Sequence, residues 1–575
     1  MHAIDLTIIG LYVVALLGMG AFLARKAAQG SDHYFLGGRR MPWWALGASG
    51  MSSNLDAAGT MTIVTLIYLF GIHGFFIEMR GGVVLPLAVF LAFMGKWHQR
   101  SQVMTTAEWM ELRFGKGPGG RGARYTAAAT YLVITIGMVV FFLEAAGKFL
   151  ATFLPFDPVT CAVLMALVAL VYTLMSGLYG VVWTDVAQAF LIGAAAIYVA
   201  VKAAGLVTPE LIADWPGAAF NQALPVFRDA ALGKYEWFLL FLIAWAAKGL
   251  LEGLGGSGGS AYMAQRFYAA RTATETQKLS MLWIVLFAFR WPMVLGFAIM
   301  GISIGAGQED VEALLPQVLQ SGFFPPGMAG LVVAAIFAAS MSTFDSTINA
   351  GASYVVKDLV QPLRPEWGER ALVWSGYIAS ALIVAIGLTL SLLAGESVLG
   401  VWEKIVIQLF PAFLTPFALR WFWSRFNGAG FITGVGFGFA AAFGLEFVPA
   451  GEALNEIGIL STVTLISLTG CLLGTYLGRP VPEETLKVFY DRIRPFGLWP
   501  KAWKAKDRAE HRADGLRLLA SVLWQVSTFL LPMLAVLQLW SSFVPLAILW
   551  LILTVGLWRN VQANARREAA AGPGA

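Results

Sequence analysis

Cysteine, histidine and charged residues are all scarce in this chain. Its 575 residues include two cysteines and five histidines, and charged residues make up 13% of the total. Cys161 and Cys471 lie inside separate apolar segments and the histidines show no ligand spacing, so the pattern indicates neither a disulfide framework nor a His/Cys metal site. A membrane-embedded enzyme would need a nucleophile–base or metal cluster. We therefore expect no enzymatic activity.

Hydrophobic residues are correspondingly abundant. They make up 58% of the sequence, and the mean hydropathy is +0.71, which excludes an ordinary soluble protein. About fifteen apolar segments are long enough to cross a bilayer, each having about 18 or more residues. The first of them, near residues 6–23, lacks a basic start and a cleavage site. We predict that it is a retained span and not a signal peptide.

The charged residues are distributed between the predicted loops according to their sign. If the N-terminus lies outside, the basic loops fall in the cytoplasm and the acidic loops fall outside. We therefore predict a multi-pass protein of the plasma (inner) membrane with a cytoplasmic C-terminus, and no nucleic-acid partner. The basic positions are Arg25, Lys26, Arg39, Arg40, Lys96, Arg100, Arg113, Lys116, Arg121, Arg124, Arg266, Arg271, Lys278 and residues 479–517, and the acidic ones are Glu210, Asp214, Glu309, Asp310, Glu312, Glu452 and Glu456.

Two predicted spans are interrupted. Residues 52–59 place Ser-Ser-Asn-Leu-Asp in the second span, and residues 253–260 place five glycines at the end of the seventh. Unwound backbone is stable in a membrane only where it is buried in protein or lines a wet cavity. Breaks five spans apart are typical of inverted-repeat transporters, which bind substrate between them. Alternatively, the glycine run is a loop after the span, since Arg266 follows closely.

The ninth span carries a stripe of small and hydroxyl side chains. Ala339, Ser342, Thr343 and Ser346 fall on one helical face at i, i+3, i+4 and i+7, with Asp345 beside them. A carboxylate in hydrocarbon is costly unless it is paired, hydrated or near a cation. Small residues at this spacing also allow close helix packing, so the stripe alone leaves both interpretations open.

Charged residues within the spans are few. Glu144 with Lys148, and Lys248 with Glu252, are i, i+4 pairs of opposite sign, which we expect to be structural ion pairs. Asp185 follows Trp-Thr after a glycine-containing turn, so it either caps its helix or has a role in a site.

Several motifs in the correct order resemble the sodium:solute symporter family, which includes sodium/glucose, sodium/proline, pantothenate and sialic-acid symporters. The resemblance covers roughly residues 5–480 and implies an all-α membrane protein. Its LeuT-type core would have two inverted five-helix repeats with extra N- and C-terminal helices, and Na+ would be its coupling ion. The motifs are residues 35–39 with 42–44, 105–108 with 112–115, 177–178 with 182–185, 265–266, and 339–343 with 345–346.

The resemblance also divides the chain. We expect an extra helix, a first repeat, a second repeat, C-terminal helices, a basic cytoplasmic loop, and two last helices with a tail. These correspond to residues 1–30, 40–205, 235–425, 426–480, 481–515 and 516–575. The basic loop contains Trp499 and Trp503, and it lies either on the inner membrane surface or in solvent as a linker.

The resemblance implies a shared sodium site. Its ligands would be the carbonyls of Ser52, Leu55 and Ala339 and the hydroxyls of Ser342 and Thr343. Sodium is a hard cation that prefers oxygen ligands, as Ca²⁺ and Mg²⁺ do, and an unwound helix frees carbonyls for it.

A second cation site is implied at Asp185, Ser342, Asp345 and Ser346. Asp345 stands where the best-described two-sodium members have a hydroxyl, so this site would be more anionic. It would then hold a second sodium more firmly, or one carboxylate would take a proton.

The implied substrate residues are Asn54, Glu78, Arg80, Tyr262 and Arg290. Asn54, Glu78 and Tyr262 align with sugar-site and inner-gate positions, whereas Arg290 matches a lysine only approximately and two further sugar-site side chains are absent. Asn54 and Glu78 could hydrogen-bond sugar hydroxyls. Arg80 and Arg290 could equally bind a carboxylate. We expect a sodium-coupled importer of a small polar solute, a sugar or polyol in preference to an organic acid or amino acid. A membrane sensor on a symporter fold is the alternative from another class.

Overall fold

The structure is a computed structural model that describes residues 2–27, 41–81, 84–213, 224–256, 261–307, 310–394, 397–448 and 454–571. Within these ranges it is helical, which confirms the predicted all-α class, and an isolated β-bridge pairs Trp423 with Leu498. Eleven of the described helices are long and apolar enough to cross a membrane, or twelve with one bent pair. The count of about fifteen spans stays a prediction. The motif at residues 35–39 and the glycine-run positions 257–260 lie outside the described residues.

The first half of the chain contains both members of the first broken span and a long kinked helix. Its helices are α1 (Ala3–Ala27), α2 (Trp43–Ser52), α3 (Ala57–Phe70), α4 (His73–Ile77), α5 (Pro86–Val89), α6 (Gly95–Ser101), α7 (Glu108–Phe114), α8 (Pro118–Ala151), α9 (Pro158–Ala204), α10 (Pro209–Ala213), α11 (Phe238–Leu254), α12 (Ala261–Tyr268) and α13 (Ala273–Phe287).

The second half contains the most deeply buried helix and the C-terminal additions. Its helices are α14 (Arg290–Ser303), α15 (Leu314–Gln320), α16 (Met328–Tyr354), α17 (Gln361–Leu363), α18 (Glu369–Ala394), α19 (Val398–Glu403), α20 (Pro411–Phe422), α21 (Gly428–Gly444), α22 (Glu456–Leu477), α23 (Glu483–Ile493), α24 (Lys501–Lys504), α25 (Arg508–Val536) and α26 (Trp540–Ala571). Segments of π-helix, Phe90–Met94, Val355–Val360 and Lys404–Leu409, continue α5, α16 and α19.

The helix α16 lies at the centre of the molecule. Nearly all of its side chains from Ala329 to Tyr354 are buried, and it packs against α1, α8, α9 and α12. Its hydroxyl stripe therefore faces protein and not lipid. This arrangement is compatible with both interpretations of the stripe, namely close helix packing and polar contact with neighbouring helices.

The kink in α9 determines where Asp185 lies. Gly177 interrupts the helix with φ 52° and ψ −163°, a left-handed conformation that glycine adopts without the strain of a side chain. Asp185 lies well beyond this kink, inside a continuous helical segment. It therefore does not cap the helix, and the capping interpretation is wrong.

The segment of residues 481–515 folds onto the body of the protein. The Trp499 indole, only 3% exposed, donates to the Trp421 carbonyl at 3.0 Å, and Arg100 donates to the Ile493 carbonyl at 3.1 Å. The expectation of a solvated linker is therefore wrong, because Trp499 is buried against α20. The alternative of a position at the inner membrane surface stays a prediction.

A buried charge cluster attaches α25 to α6. The Lys96 ammonium lies 2.6 Å from Glu510 and 2.8 Å from both oxygens of Asp514, whose side chain is 1% exposed. Arg517 also donates to Asp514, at 3.1 Å. The cluster satisfies charges that would otherwise be buried without partners.

We expect Lys96→Met to destabilise the protein by about 3 kcal/mol. Removing one partner of a buried ion pair typically costs about 3–5 kcal/mol, and the remaining Arg517 contact favours the lower end. Thermal unfolding of the purified protein measures the effect. Lys487→Met is the control, because that residue pairs with Asp491 on the surface, where such pairs contribute about 0–1 kcal/mol. Equal melting temperatures for the two variants would contradict the structural role of the cluster.

Candidate ion and solute site

The predicted break in the second span is confirmed. The helix α2 ends at Ser52 and α3 begins at Ala57, with Asp56 capping the new helix by accepting from the Gly59 amide at 2.6 Å. The Ala57 amide donates to Ser340 of α16 at 2.8 Å. The polar residues in the sequence thus provide the cap for the helix that restarts at Ala57.

The second break joins α11 to α12. The helix α11 ends at Leu254, and Gly256 follows with φ 74°. The helix α12 then begins at Ala261 and packs against α2 and α16. The helix α12 therefore packs inside the protein beside the first break. Residues 257–260 of the glycine run lie outside the described part of the chain, so the broken-helix interpretation of this run stays a prediction.

Three of the predicted sodium ligands meet between α16 and the first break. The Thr343 hydroxyl donates to the Leu55 carbonyl at 3.0 Å and to the Ala339 carbonyl at 3.1 Å. The Ser52 carbonyl lies in the same turn and accepts from the Leu55 amide at 3.3 Å. Ser342 is directed to the adjacent helix instead. All five residues are at most 1% exposed, so an ion here would be coordinated by protein oxygens.

Asp185 is the centre of a hydroxyl cluster beside these residues. One carboxylate oxygen accepts from Ser342 at 2.5 Å, and the other accepts from Ser49 at 2.5 Å and from Ser53 at 3.2 Å. The Ser52 hydroxyl donates to the Asp185 carbonyl at 2.9 Å. Asp185 therefore links α2, α9 and α16.

Arg266 completes this cluster, although sequence reasoning did not include it among the site residues. Its guanidinium is fully buried and donates through Nη2 to Ser346 at 2.6 Å, to Ser53 at 2.8 Å and to Ser49 at 3.1 Å. The same nitrogen lies 3.6 Å from Asp185. The available signal was a cation one helical turn after Tyr262, with a buried aspartate elsewhere in need of a counterion.

Asp345 lies at the edge of that hydrogen-bond cluster. Its carboxylate is fully buried and interacts with the neighbouring Ser346, which belongs to the cluster. It is within electrostatic range of Tyr12 on α1, whose hydroxyl accepts from Gln188. Of the four residues predicted for the second cation site, the structure thus joins Asp185 to Ser342 directly and to Ser346 through Arg266.

The predicted substrate residues divide into two groups. Tyr262 donates to the Asn54 side chain at 3.1 Å, and Arg290 donates to the Asn54 carbonyl at 3.3 Å. Glu78 is 3% exposed, has one oxygen without a hydrogen bond among the described residues, and lies within electrostatic range of Arg290. Arg80 is engaged elsewhere.

Arg80 belongs to an ion-pair network that also contains Glu403, Glu456 and Lys234. It lies 2.6 Å from Glu456 and 3.3 Å from Glu403, and it donates to Tyr235 at 3.0 Å. Lys234 approaches Glu403 at 3.0 Å. The guanidinium is therefore already paired, so we leave it out of the substrate set proposed below.

The two predicted helical ion pairs are present. Lys148 lies 3.2 Å from Glu144, and Lys248 lies 2.8 Å from Glu252. Both side chains of the second pair are 1% exposed, and the Lys248 ammonium lies over the Phe410 ring. The prediction of structural ion pairs is confirmed for both.

Comparison with known proteins identifies the family. The model of the sodium:solute symporter family matches residues 34–438. The chain belongs to this family. A sodium/glucose cotransporter of Vibrio parahaemolyticus is 27% identical over 511 residues, which cover 81% of this chain and 90% of that protein. The sodium/sialic acid symporter SiaT of Proteus mirabilis is 24% identical over 487 residues, which cover 80% and 93%.

A solved structure shares the fold. It is a substrate-bound, outward-open Na+-coupled sialic acid symporter, with a TM-score of 0.65 at 20% sequence identity, covering 84% of this chain and 99% of that one. The symporter described here accordingly has the LeuT-type fold. It is a multi-pass membrane transporter and not an enzyme, and Na+ is its coupling ion.

Proposed function

We propose that this symporter imports a small uncharged polyhydroxy solute, a sugar or polyol, together with Na+ by alternating access. The observation that carries the proposal is the contact between the two helix breaks at Asn54, which receives hydrogen bonds from Tyr262 and Arg290. A solute held there would contact both broken helices. Movement of one repeat against the other would then open the site to either side of the membrane.

Sodium would bind beside this position through Ser52, Leu55, Ala339, Ser342 and Thr343. In support, the Thr343 hydroxyl already joins the carbonyls of Leu55 and Ala339. A sodium ion between these groups would attach the first break to α16. Coupling requires that the ion bind one of the two access states more tightly than the other, and an ion shared by two moving elements meets that condition.

The charges around Asn54 favour a neutral solute over an anion. Arg290 is within electrostatic range of two carboxyl groups, Asp56 and Glu78, so its charge is already opposed. Lys248 is paired with Glu252. Among the described residues around Asn54, a substrate carboxylate would therefore meet no uncompensated cation, whereas a hydroxyl can donate to Glu78 and accept from Arg290. This argues against an organic acid and less strongly against an amino acid.

We also propose the orientation that the loop charges predict, with the N-terminus outside and the C-terminus in the cytoplasm of a plasma (inner) membrane protein. Sodium then enters down its gradient. One charge moving through about 100 mV supplies roughly 2.3 kcal/mol, and a tenfold sodium gradient adds about 1.4 kcal/mol. One ion could sustain roughly 500-fold accumulation of a neutral solute.

Uptake into proteoliposomes tests the proposal. A panel of labelled sugars, polyols, organic acids and amino acids is measured with and without an inward sodium gradient. We expect gradient-dependent accumulation of a polyhydroxy compound. Accumulation of an organic acid or amino acid alone would overturn the substrate class. Sodium binding without uptake of any solute would favour the sensor alternative.

The Glu78→Gln variant separates the two main substrate classes. A hydrogen bond to a charged group contributes about 1.5–3 kcal/mol, so we expect the half-saturating concentration of a sugar or polyol to rise about 10–150-fold, with little change in that of sodium. For an anionic substrate the same change would lower it, because a repelling charge is removed. Glu236→Gln, in the exposed ion pair with Arg228, is the control and is expected to behave as the parent protein.

A further inference from the structure

The last two helices, α25 and α26, form an antiparallel pair whose charge-free parts have the length of a bilayer core. The Trp524 indole donates to the Thr554 hydroxyl at 2.7 Å, and the Trp550 indole donates to the Thr528 hydroxyl at 2.9 Å. Residues 518–536 and 540–558 contain no Asp, Glu, Lys or Arg. Each stretch is about 28 Å long at 1.5 Å per residue, close to the ~30 Å of the hydrocarbon core. The membrane boundary at this end therefore lies near residues 518 and 558.

The exposed side of α25 changes from apolar to basic at this boundary. Leu523, Leu519 and Leu516 are 42, 61 and 64% exposed and share one helical face. Arg512 and then Arg508 follow on the same face, and both are exposed. Arg512 lies about 9 Å beyond residue 518 at 1.5 Å per residue. Because the headgroup region is about 5–8 Å deep on each side, an arginine that extends toward the membrane reaches it.

The exposed side of α26 changes in the same way. Ile552 and Val555 are 64 and 42% exposed. Arg559 and Arg566 follow Ile552 at i+7 and i+14, so they lie on the same face, and both are exposed. The register of the helix pair places Arg566 level with Arg512. Both helices thus present guanidinium groups at the boundary, on the sides that face lipid.

The acidic residues of this end of the pair are directed into the protein. In the part of the chain that the structure describes, Arg512, Arg559 and Arg566 have no carboxylate within ion-pair distance, so their charges are uncompensated. The four acidic side chains are held elsewhere: Asp507 by Tyr490, Glu510 by Lys96 and Arg100, Asp514 by Lys96 and Arg517, and Glu568 by the Thr274 amide.

We propose that Arg512, Arg559 and Arg566 bind the phosphate headgroups of anionic phospholipids at the inner membrane surface. A guanidinium can donate two parallel hydrogen bonds to phosphate oxygens, and the cytoplasmic leaflet carries a negative surface potential. Only 6% of the α26 span is buried within the protein, so bound lipid would also hold the inner end of that helix. The orientation proposed above decides which leaflet supplies the lipid, whereas headgroup binding does not depend on it.

Binding of phosphatidylglycerol to the purified full-length symporter in neutral detergent micelles tests the proposal without a known solute. Each basic residue near an anionic lipid surface contributes about 1 kcal/mol, which is about fivefold in affinity. We therefore expect Arg512→Gln/Arg559→Gln/Arg566→Gln to bind this lipid about 100-fold more weakly than the wild type. Added salt should weaken wild-type binding. Phosphatidylcholine, which has no net charge, should bind weakly and equally to both proteins.

Two further variants separate headgroup binding from net charge and from folding. Lysine at the same three positions retains the charges and should retain most of the affinity. Lys487→Gln/Lys501→Gln/Lys506→Gln removes the same net charge from residues 481–515 and should bind as the wild type does, since Lys501 and Lys506 lie about 25 and 18 Å beyond residue 518 at 1.5 Å per residue. Equal binding of phosphatidylglycerol by the wild type and the first glutamine variant would overturn the proposal. An equal loss in both glutamine variants, or equal wild-type affinity for the two lipids, would overturn it as well.

Discussion

The Thr343→Ala variant is expected to need about 10–150-fold more sodium for half-maximal binding. The Thr343 hydroxyl lies 3.0 and 3.1 Å from the carbonyls of Leu55 and Ala339, so it would face any ion that those carbonyls coordinate. Losing one hydrogen-bonding or coordinating group to a charge costs about 1.5–3 kcal/mol, and each 1.4 kcal/mol is about tenfold in affinity. The dependence of ²²Na+ binding on sodium concentration measures the change.

Two further variants of α16 make this test specific. Thr343→Ser retains the hydroxyl and should recover most of the affinity. Thr347→Ala removes a buried hydroxyl one turn away, which donates to the Thr343 carbonyl at 2.7 Å, and it should leave sodium binding nearly unchanged. If Thr343→Ala and Thr347→Ala bind sodium alike, Thr343 is not a ligand. Ser342→Ala should also weaken binding, but its interpretation is less direct because Ser342 donates to Asp185.

The first break was predictable because its signal is local. A run of short polar side chains within an apolar segment is costly in a continuous membrane helix, and Asp56 is a good helix cap. The ion pairs of Glu144 with Lys148 and of Lys248 with Glu252 were predictable for the same reason, since residues four apart are neighbours on any helix. Local spacing was sufficient in these cases.

The partners of Arg80, Asp185 and Arg266 could not be read from spacing. Arg80 forms an ion pair with Glu456, which lies 376 residues later in the sequence. Asp185 pairs with Arg266 only because α9 and α12 both pack against α2. Sequence reasoning assigned Arg80 to substrate and left Arg266 among the cytoplasmic cations. Both assignments depended on which helices meet, which is a property of the tertiary fold.

The segment of residues 481–515 illustrates the same limit. Its positive charge and its tryptophans are compatible with a membrane surface or with solvent, and the alternatives differ only in what the tryptophans contact. In the structure Trp499 packs on α20 and bonds to its backbone. A basic composition describes the exposed side chains of this segment, whereas its position is determined by a few buried aromatic contacts.

The Asp185→Asn variant is expected to lose about 3–5 kcal/mol of stability. The substitution leaves the Arg266 guanidinium fully buried without a counterion, and breaking a buried pair from one side has this cost. Asp185 also accepts hydrogen bonds from Ser49, Ser53 and Ser342, which an amide can satisfy only in part. Thermal and denaturant unfolding of the purified protein, compared with the parent, measures the loss.

A double-mutant cycle assigns this loss to the ion pair. Asp185→Asn/Arg266→Gln removes both charges and should be more stable than the sum of the single variants predicts, with a coupling of about 0.5–3 kcal/mol. Additive effects would show that the two charges do not interact. The same variants report on ion count through the steepness of the sodium dependence. A lower Hill slope in Asp185→Asn would mean that Asp185 binds a second sodium ion in the parent, and an unchanged slope would mean that it does not.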